Sequence, residues 1–537
     1  MTMKAQPSKA QPSETQPELV EIAVDGETFS VPKGKNLLEA LLDVGEDVSY
    51  FCYHPRLSIV AKCRQCLVGL GDGHKLVPAC QMTVQEGMKV RSKTEQVREA
   101  RQAILEFTLL NHPLDCVICD KAGECTLQRQ YMDWDGEASL VNHDKVSKPK
   151  KVDLGPDIVL DAERCILCDR CVRFMAEVAK APQLLFAKRG DHTEVSCAPG
   201  EQLDHPYALN VADICPVGAL TDKSFRFQSR VWDLWSTRTV CQGCAAGCDM
   251  ELHHKDGDVY RQVPPKRWDL NLNWMCNDGR RTYRQLLEKE RVTHPSLGGE
   301  RTDPDTATTH IAEALQGLIG AEGSPIGVVL GADVSNEDAY AGARIAQVLG
   351  ARLYLGDRPD DGKGDDILRL NDPNPNRAGV RAMANKDLLN TKALAEALND
   401  GALKALLVVG DGLDLPAPAQ RKLNALDLVV LSTPFSSALI KKASVVLPAA
   451  AWTEIDGTCT NAAGEVKRMR PAFEPPSHAR PHWDWLVRLG VALDADLGFL
   501  DAEGAFSEMS ANIETFAGAS WGDTIPTQRL RFSGRRG

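Results

Sequence analysis

Cysteine is almost absent from the second half of this chain: of 17 cysteines in 537 residues, sixteen fall at or before Cys276 and only Cys459 follows. Long apolar runs are missing too. None approaches the ~18–20 residues needed to span a bilayer. The best candidates, 405–410 and 444–452, are of strand length, so any membrane role is expected to be peripheral, without direct insertion. Positive charge is in deficit: 62 Lys and Arg against 74 Asp and Glu leave a net −12, which argues against a nucleic-acid binder. Residues 1–18 are rich in Gln, Pro and Ser, repeat Ala-Gln-Pro-Ser at 5–8 and 10–13, and carry no apolar signal region. They read as a flexible tail. A cytoplasmic chain is the expectation. There stable disulfides are rare, and Cys-x-x-Cys pairs point to metal.

The length argues for several domains. Between 19 and 96, strand-like runs at 19–24, 28–31, 67–70 and 89–92 alternate with turns around a helical stretch at 36–44. Residues 97–110 read as an amphipathic helix with Ile104, Leu105, Thr108 and Leu109 at helical spacing, opening a segment that runs to 143. A Lys- and Pro-bearing linker is expected at 144–156, a compact cysteine-bearing unit at 157–232 and another at 233–295. From 296 to 505 apolar strands at 325–330, 353–355, 405–409 and 428–431 alternate with helices at 336–349 and 387–399. That rhythm predicts βαβ units and a parallel sheet. Residues 506–537 are expected to form a loose basic tail.

The cysteines fall into four sets. In the first, Cys52-x10-Cys63-x2-Cys66-x13-Cys80, a loop triplet and a distant fourth thiolate follow the plan of plant-type [2Fe–2S] ferredoxins, with a longer first gap. Structural zinc is the alternative. The second, His112-x3-Cys116-x2-Cys119-x5-Cys125, offers one imidazole and three thiolates. Zinc and a cluster both suit it, and a neutral His ligand would leave a cluster less negative.

The third set is the most informative. Cys165-x2-Cys168-x2-Cys171 opens like one bacterial two-cluster ferredoxin run, and Cys215-Pro216 closes like a second. In that plan the fourth cysteine of each run serves the other cluster. The first run's fourth position is Met175, and the second run's first three are His205, Ala208 and Val211. One cluster keeps Cys165, Cys168, Cys171 and Cys215, while the other has lost every thiolate. Random loss would not sort so cleanly, and a single [4Fe–4S] cluster is expected. The fourth set, Cys241-x2-Cys244-x3-Cys248-x27-Cys276, again fits [4Fe–4S], with Gly243 and Gly247 allowing close backbone approach. Zinc is the alternative here too. Cys197 and Cys459 remain as ordinary packed thiols. Scattered basic residues such as Arg164, Arg170 and Arg173 read as salt-bridge partners or cluster neighbours. Four such sites in series suggest a relay of single electrons, with no catalytic residue of its own.

The order of these motifs over residues 19–300 resembles the large iron–sulfur subunit of respiratory complex I, the family of the NADH–quinone oxidoreductase G subunit. The resemblance implies one [2Fe–2S] cluster at the first set and [4Fe–4S] clusters at the other three. The fourth looks like an extra cluster off the main path. It also implies an NADH- and FMN-binding subunit upstream, a ferredoxin-like connecting subunit downstream, and a place on the cytoplasmic side of the inner membrane within a membrane-bound complex. The fold implied is multidomain α+β and α/β: a ferredoxin-like β-grasp, a His/Cys helical segment, a bacterial-ferredoxin-like unit and a molybdopterin-oxidoreductase-like domain. That last likeness is carried by Val446-Leu447-Pro448, Thr453-Glu454, Asp456-Gly457-Thr458 and Thr460-Asn461 to Gly464. Two departures, Asp278 where catalytic relatives usually have Lys and no cysteine between Cys276 and Cys459, lead to the expectation of a structural domain without molybdenum. Rival readings are a molybdenum-dependent formate dehydrogenase, an iron-only hydrogenase, a hydrogenase-associated diaphorase subunit and a zinc-stabilised scaffold.

Overall fold

A computed structural model describes residues 18–522 except 73–74, 136–137, 140–141, 266–270 and 385–387, together with 528–529. Of the tail expected at 1–18, residues 1–17 lie outside the described residues, as do the final residues 530–537. The contacts divide the chain into two units, one ending at Val231 and one beginning at Trp232.

The first unit opens with a five-stranded mixed sheet in the order Glu27–Pro32, Leu19–Val24, Lys89–Arg91, Leu67–Leu70, Lys75–Pro78. Leu19–Val24 alternates exposed and buried residues, so Val20, Ile22 and Val24 face the core. The helix Leu37–Asp43 covers that face, its first turn capped by Asn36, whose side chain accepts from Leu38 N at 3.0 Å. Cys66 and Cys80 belong to the same apolar cluster. Ligand placement is therefore tied to the core of this sheet.

The helix expected at 97–110 runs Glu95–Leu109 behind a Thr94 cap. Its buried stripe differs from the expected one: Val97, Arg101 and Leu105 are buried, whereas Ile104, Thr108 and Leu109 are half-buried. The reason is Arg101, whose Nε and Nη2 donate to Leu67 O at 3.2 and 3.0 Å and turn that face to the sheet. The expected linker also needs correction. Val152–Asp153 is a strand paired with Ile158–Leu160, and Leu154 is buried.

In the second unit, Trp235–Val240, Asp249–Lys255 and Asp258–Val263 form an antiparallel sheet. A seven-stranded sheet follows, in which Val445–Pro448, Leu428–Thr433, Ala405–Val409, Ile326–Gly331 and Arg352–Gly356 run parallel. Alternate residues feed separate cores. Val328, Leu330, Leu407 and Val409 lie in one, Val329, Leu406 and Val408 in another. A sheet covered on both faces requires such continuously apolar strands. The helix Asn336–Leu349 is fixed by a capping box of Ser335 and Asp338 and ends at Gly350, φ +59°. The helix expected at 387–399 spans Thr391–Asn399, capped by Asn390; residue 387 lies outside the described residues.

The tail expected from 506 begins instead inside the helix Ala502–Asn512. Ala502, Ala505, Phe506 and Met509 are buried on one helical face, and small alanines had hidden that period. Gln528–Arg529 pairs with Ser236 and Trp235. No helix among the described residues is long and apolar enough to cross a membrane.

Candidate metal centres

All 17 cysteines are free thiols. At the first set the four sulfurs fall into two pairs. Cys52 and Cys63 share one loop, where the N–H groups of Phe51 and Cys52 donate to Cys63 Sγ at 3.4 and 3.5 Å and Cys63 N returns a bond to Cys52 Sγ at 3.5 Å. Cys66, at the entry to Leu67–Leu70, is held beside Cys80 by Ala79 N donating to Cys66 O at 2.9 Å. The hydrogen bond from Cys63 pulls Cys52 down to about 5 and raises Cys63 itself. Cys66 is likewise lowered by Cys80, which is raised. The four sulfurs thus form two neighbouring pairs, Cys52 with Cys63 and Cys66 with Cys80.

At the second set His112 follows the helix Glu95–Leu109, with its N–H on Leu109 O at 3.2 Å. Burial pushes its pKa down to about 4, so the ring is neutral, and Nδ1 is buried without a hydrogen-bond partner. An orphaned neutral imidazole nitrogen is what a metal ligand offers. Cys116 is exposed, whereas Cys119 and Cys125 are buried. Burial raises Cys119 and pushes Cys125 up to about 11. Cys125 Sγ caps Thr126–Gln130, accepting from Gln128 N at 3.5 Å. The tight approach is at Gly218, where a Cβ would stand 2.3 Å from Cys119 Sγ.

At the third set Cys165, Cys168, Cys171 and Cys215 line one partly open pocket. The loop wraps it by placing Leu167 and Asp169 at φ +52° and +74°, left-handed positions that persist in non-glycine residues where function constrains them. Burial pushes Cys165 up to about 12 and Cys168 to about 11, so loading metal must displace protons. At the positions where a second ferredoxin-type run would carry thiolates, Met175, Ala208 and Val211 are fully buried apolar residues, and His205 is half-buried.

At the fourth set Cys241, Cys244, Cys248 and Cys276 line one pocket. Gly243 and Gly247 line it as well. A Cβ at Gly279 would lie 3.1 and 3.2 Å from the sulfurs of Cys241 and Cys276, tighter than ordinary contact. Burial raises Cys241 and Cys276 and pushes Cys248 to about 12. Among the described residues no group of three or more His, Cys, Asp or Glu closes on a single metal ion. At the third and fourth sets the four thiols face one shared pocket each.

Three of the sets are stitched together. Arg170, between Cys168 and Cys171, donates to Tyr53 O at 2.6 Å and to Ile214 O at 3.1 Å, neighbours of Cys52 and Cys215. Arg173 donates to Cys52 O. On the other side, Thr126 N donates to Pro216 O at 2.9 Å, joining the residues after Cys125 and Cys215. Arg164, beside Cys165, pairs with Asp115, beside Cys116, at 2.6 Å. The third set thus stands between the first and the second. Gly218, Gly279 and Asp115 escaped the sequence reading, although Gly279 stands three residues past Cys276. Cys197 donates to Leu154 O at 3.6 Å; Cys459 is buried in the apolar cluster that also holds Cys241; neither lines the pockets of the third and fourth sets.

Five family descriptions match in order. A 2Fe-2S iron-sulfur cluster binding domain covers 18–95, the NADH-ubiquinone oxidoreductase-G iron-sulfur binding region 101–136, and the NADH-quinone oxidoreductase subunit 3 ferredoxin-like domain 155–221. A molybdopterin oxidoreductase Fe4S4 domain covers 235–287 and molybdopterin oxidoreductase 362–491. The NADH-quinone oxidoreductase G subunit of Streptomyces coelicolor is 36% identical over 62% of this chain and 40% of its own length. The mitochondrial NADH dehydrogenase [ubiquinone] iron-sulfur protein 1 of Solanum tuberosum is 38% identical over 52% of this chain and 38% of its own. A crystal structure of an NAD+-reducing [NiFe]-hydrogenase in the H2-reduced state aligns with TM-score 0.36 and 30% identity, covering 40% of this chain and 91% of that one. The chain is homologous to the G subunits of NADH-quinone oxidoreductases and carries 2Fe-2S- and 4Fe-4S-binding domains. It spans about two fifths of the length of those curated relatives.

Proposed function

We propose that this chain is an electron-relay subunit of an NADH–quinone oxidoreductase assembly, conveying single electrons from an NADH- and FMN-binding subunit towards quinone through a ferredoxin-like connecting subunit. In this reading Cys52, Cys63, Cys66 and Cys80 hold a [2Fe–2S] cluster. His112 with Cys116, Cys119 and Cys125, Cys165 with Cys168, Cys171 and Cys215, and Cys241 with Cys244, Cys248 and Cys276 hold three [4Fe–4S] clusters. When bound, such clusters each take up and release one electron. The chain's own residues supply thiolates, exclude water and set distances.

The observation that carries the reading is the stitching of the first three sets. Arg170, Arg173 and the bond from Thr126 to Pro216 bring residues adjacent to the ligands into direct contact. A zinc scaffold needs no such bridges, whereas a relay needs short, fixed gaps between centres. The path runs from the first set through the third to the second, and the fourth lies off it. The second half is structural and without molybdenum; in support, Asp278 stands where catalytic relatives usually have Lys and no cysteine lies between Cys276 and Cys459. The assembly holds the chain peripherally at the cytoplasmic side of the inner membrane.

The test is metal and sulfide analysis of the isolated full chain with redox-titrated EPR. The relay requires about 14 iron atoms with matching sulfide, one [2Fe–2S] signal and three [4Fe–4S] signals. Four zinc atoms without sulfide, or stoichiometric molybdenum, would refute it.

A further inference from the structure

The cavity at the fourth set is closed by a segment remote in sequence. Besides its four cysteines, its walls include Leu368 and Arg369, from the loop between Arg352–Gly356 and Arg377–Ala384. That loop is built. Asp365 Oδ1 accepts from the N–H groups of Ile367, Leu368 and Arg369 at 2.8, 2.9 and 3.2 Å. Asn371 Oδ1 accepts from Gly364 N at 2.6 Å. The loop is also tied to the ligand segment, because Ala245 N, next to Cys244, donates to Asp372 O at 2.9 Å.

The guanidinium is located by two carboxylates. Arg369 Nη2 donates to Asp361 Oδ2 at 2.7 Å and Nη1 donates to Asp278, two residues after Cys276. The Arg369 side chain is 11% exposed and that of Asp278 is 56% exposed. Water therefore screens the anion more than the cation. Lys467, paired with Asp249 at 3.0 Å, supplies a second cation near Cys248.

We propose that Arg369 is a positioning residue for the fourth cluster, holding a fixed positive charge against the cavity wall and raising the potential at which a [4Fe–4S] cluster there accepts an electron. The proposal rests on the reading of the fourth set as a cluster site. Reduction adds one electron and one negative charge, with no bond made or broken and no proton moved. A nearby cation stabilises the reduced form more than the oxidised one. Arginine suits the task because it stays charged at every working pH. Leu368 adds an apolar side chain to the same wall, and a lower local dielectric strengthens the interaction.

The full chain, isolated with its clusters, is titrated with dithionite and mediators and read by EPR. In Arg369→Gln the reduced-to-oxidised ratio of one [4Fe–4S] signal at fixed ambient potential is expected to fall about tenfold, about 59 mV for a one-electron couple. The other signals should not move. Arg369→Lys should restore most of the potential, and Asp278→Asn should raise it. An unshifted signal in Arg369→Gln, or a shift as large in Arg369→Lys, overturns the proposal. If Arg369→Gln loses the signal, the exposed Asp278→Asn decides: a raised potential supports the proposal, an unchanged or lowered one ends it. Wild-type chain lacking a third [4Fe–4S] signal and about four iron atoms instead removes the cluster reading and this proposal with it.

Discussion

A buried imidazole nitrogen with no partner costs free energy unless something occupies it. His112 Nδ1 is such an atom, and a ring held neutral by burial has the lone pair free for iron. Replacing it by a thiolate adds a negative charge to the centre. We expect His112→Cys to retain a [4Fe–4S] signal with a lowered midpoint potential, read by redox-titrated EPR; an unmoved potential would exclude His112 as a ligand. Gly218 makes a complementary case. The methyl group of Gly218→Ala would stand 2.3 Å from Cys119 Sγ, so this variant should lose the second set's signal while the [2Fe–2S] signal survives. Retention of all four signals would mean that Cys119 can shift without consequence.

Among the elements, those fixed by local rules were legible in the chain. Leu19–Val24, Leu67–Leu70, Ala405–Val409 and Asn336–Leu349 fall at the residues expected from period and capping. Elements governed by distant partners were not. The burial of Arg101 in the helix Glu95–Leu109 is decided by Leu67 O, and the strand Val152–Asp153 by its pairing with Ile158–Leu160. The capping box of Asn336–Leu349 gives a measurable case. Ser335 Oγ accepts from Asp338 N at 3.0 Å, and a lost cap costs about 1 kcal/mol, up to about 2. Ser335→Ala should lower the unfolding free energy of the full chain by that amount, measured by denaturant titration. No change would mean that packing alone holds the first turn.

On the scale of the whole molecule, one buried acid ties stability to pH. Glu337 is fully buried, and desolvation lifts it from an ordinary 4.5 to about 7 although Thr458 N and Oγ1 donate to it at 2.7 and 2.6 Å. Between those values the folded chain holds a proton that the unfolded chain has released. Its contribution is therefore complete below about pH 4.5 and lost as pH rises through 7, roughly 3 kcal/mol in all. Unfolding free energy should decline from pH 5 to 8, and Glu337→Gln should flatten that decline. An equal slope in the variant would place the titration elsewhere.

The sequence by itself grouped the candidate ligands of the third and fourth sets, because cysteines spaced as at 165, 168 and 171 or at 241, 244 and 248 sit on one short loop. It also placed Met175, Ala208 and Val211, all buried, where a second ferredoxin-type run would carry thiolates. The uneven cysteine count followed from that local chemistry. The spatial order of the sets, first, third, second, differs from their order along the chain. It emerges only where Arg170 reaches Tyr53 O across 117 residues and Thr126 meets Pro216. Arg369 likewise reaches Asp278 across 91 residues. Such pairings depend on how folded segments meet, and neither spacing nor periodicity encodes them, so the tertiary structure alone decided which charges face which centre.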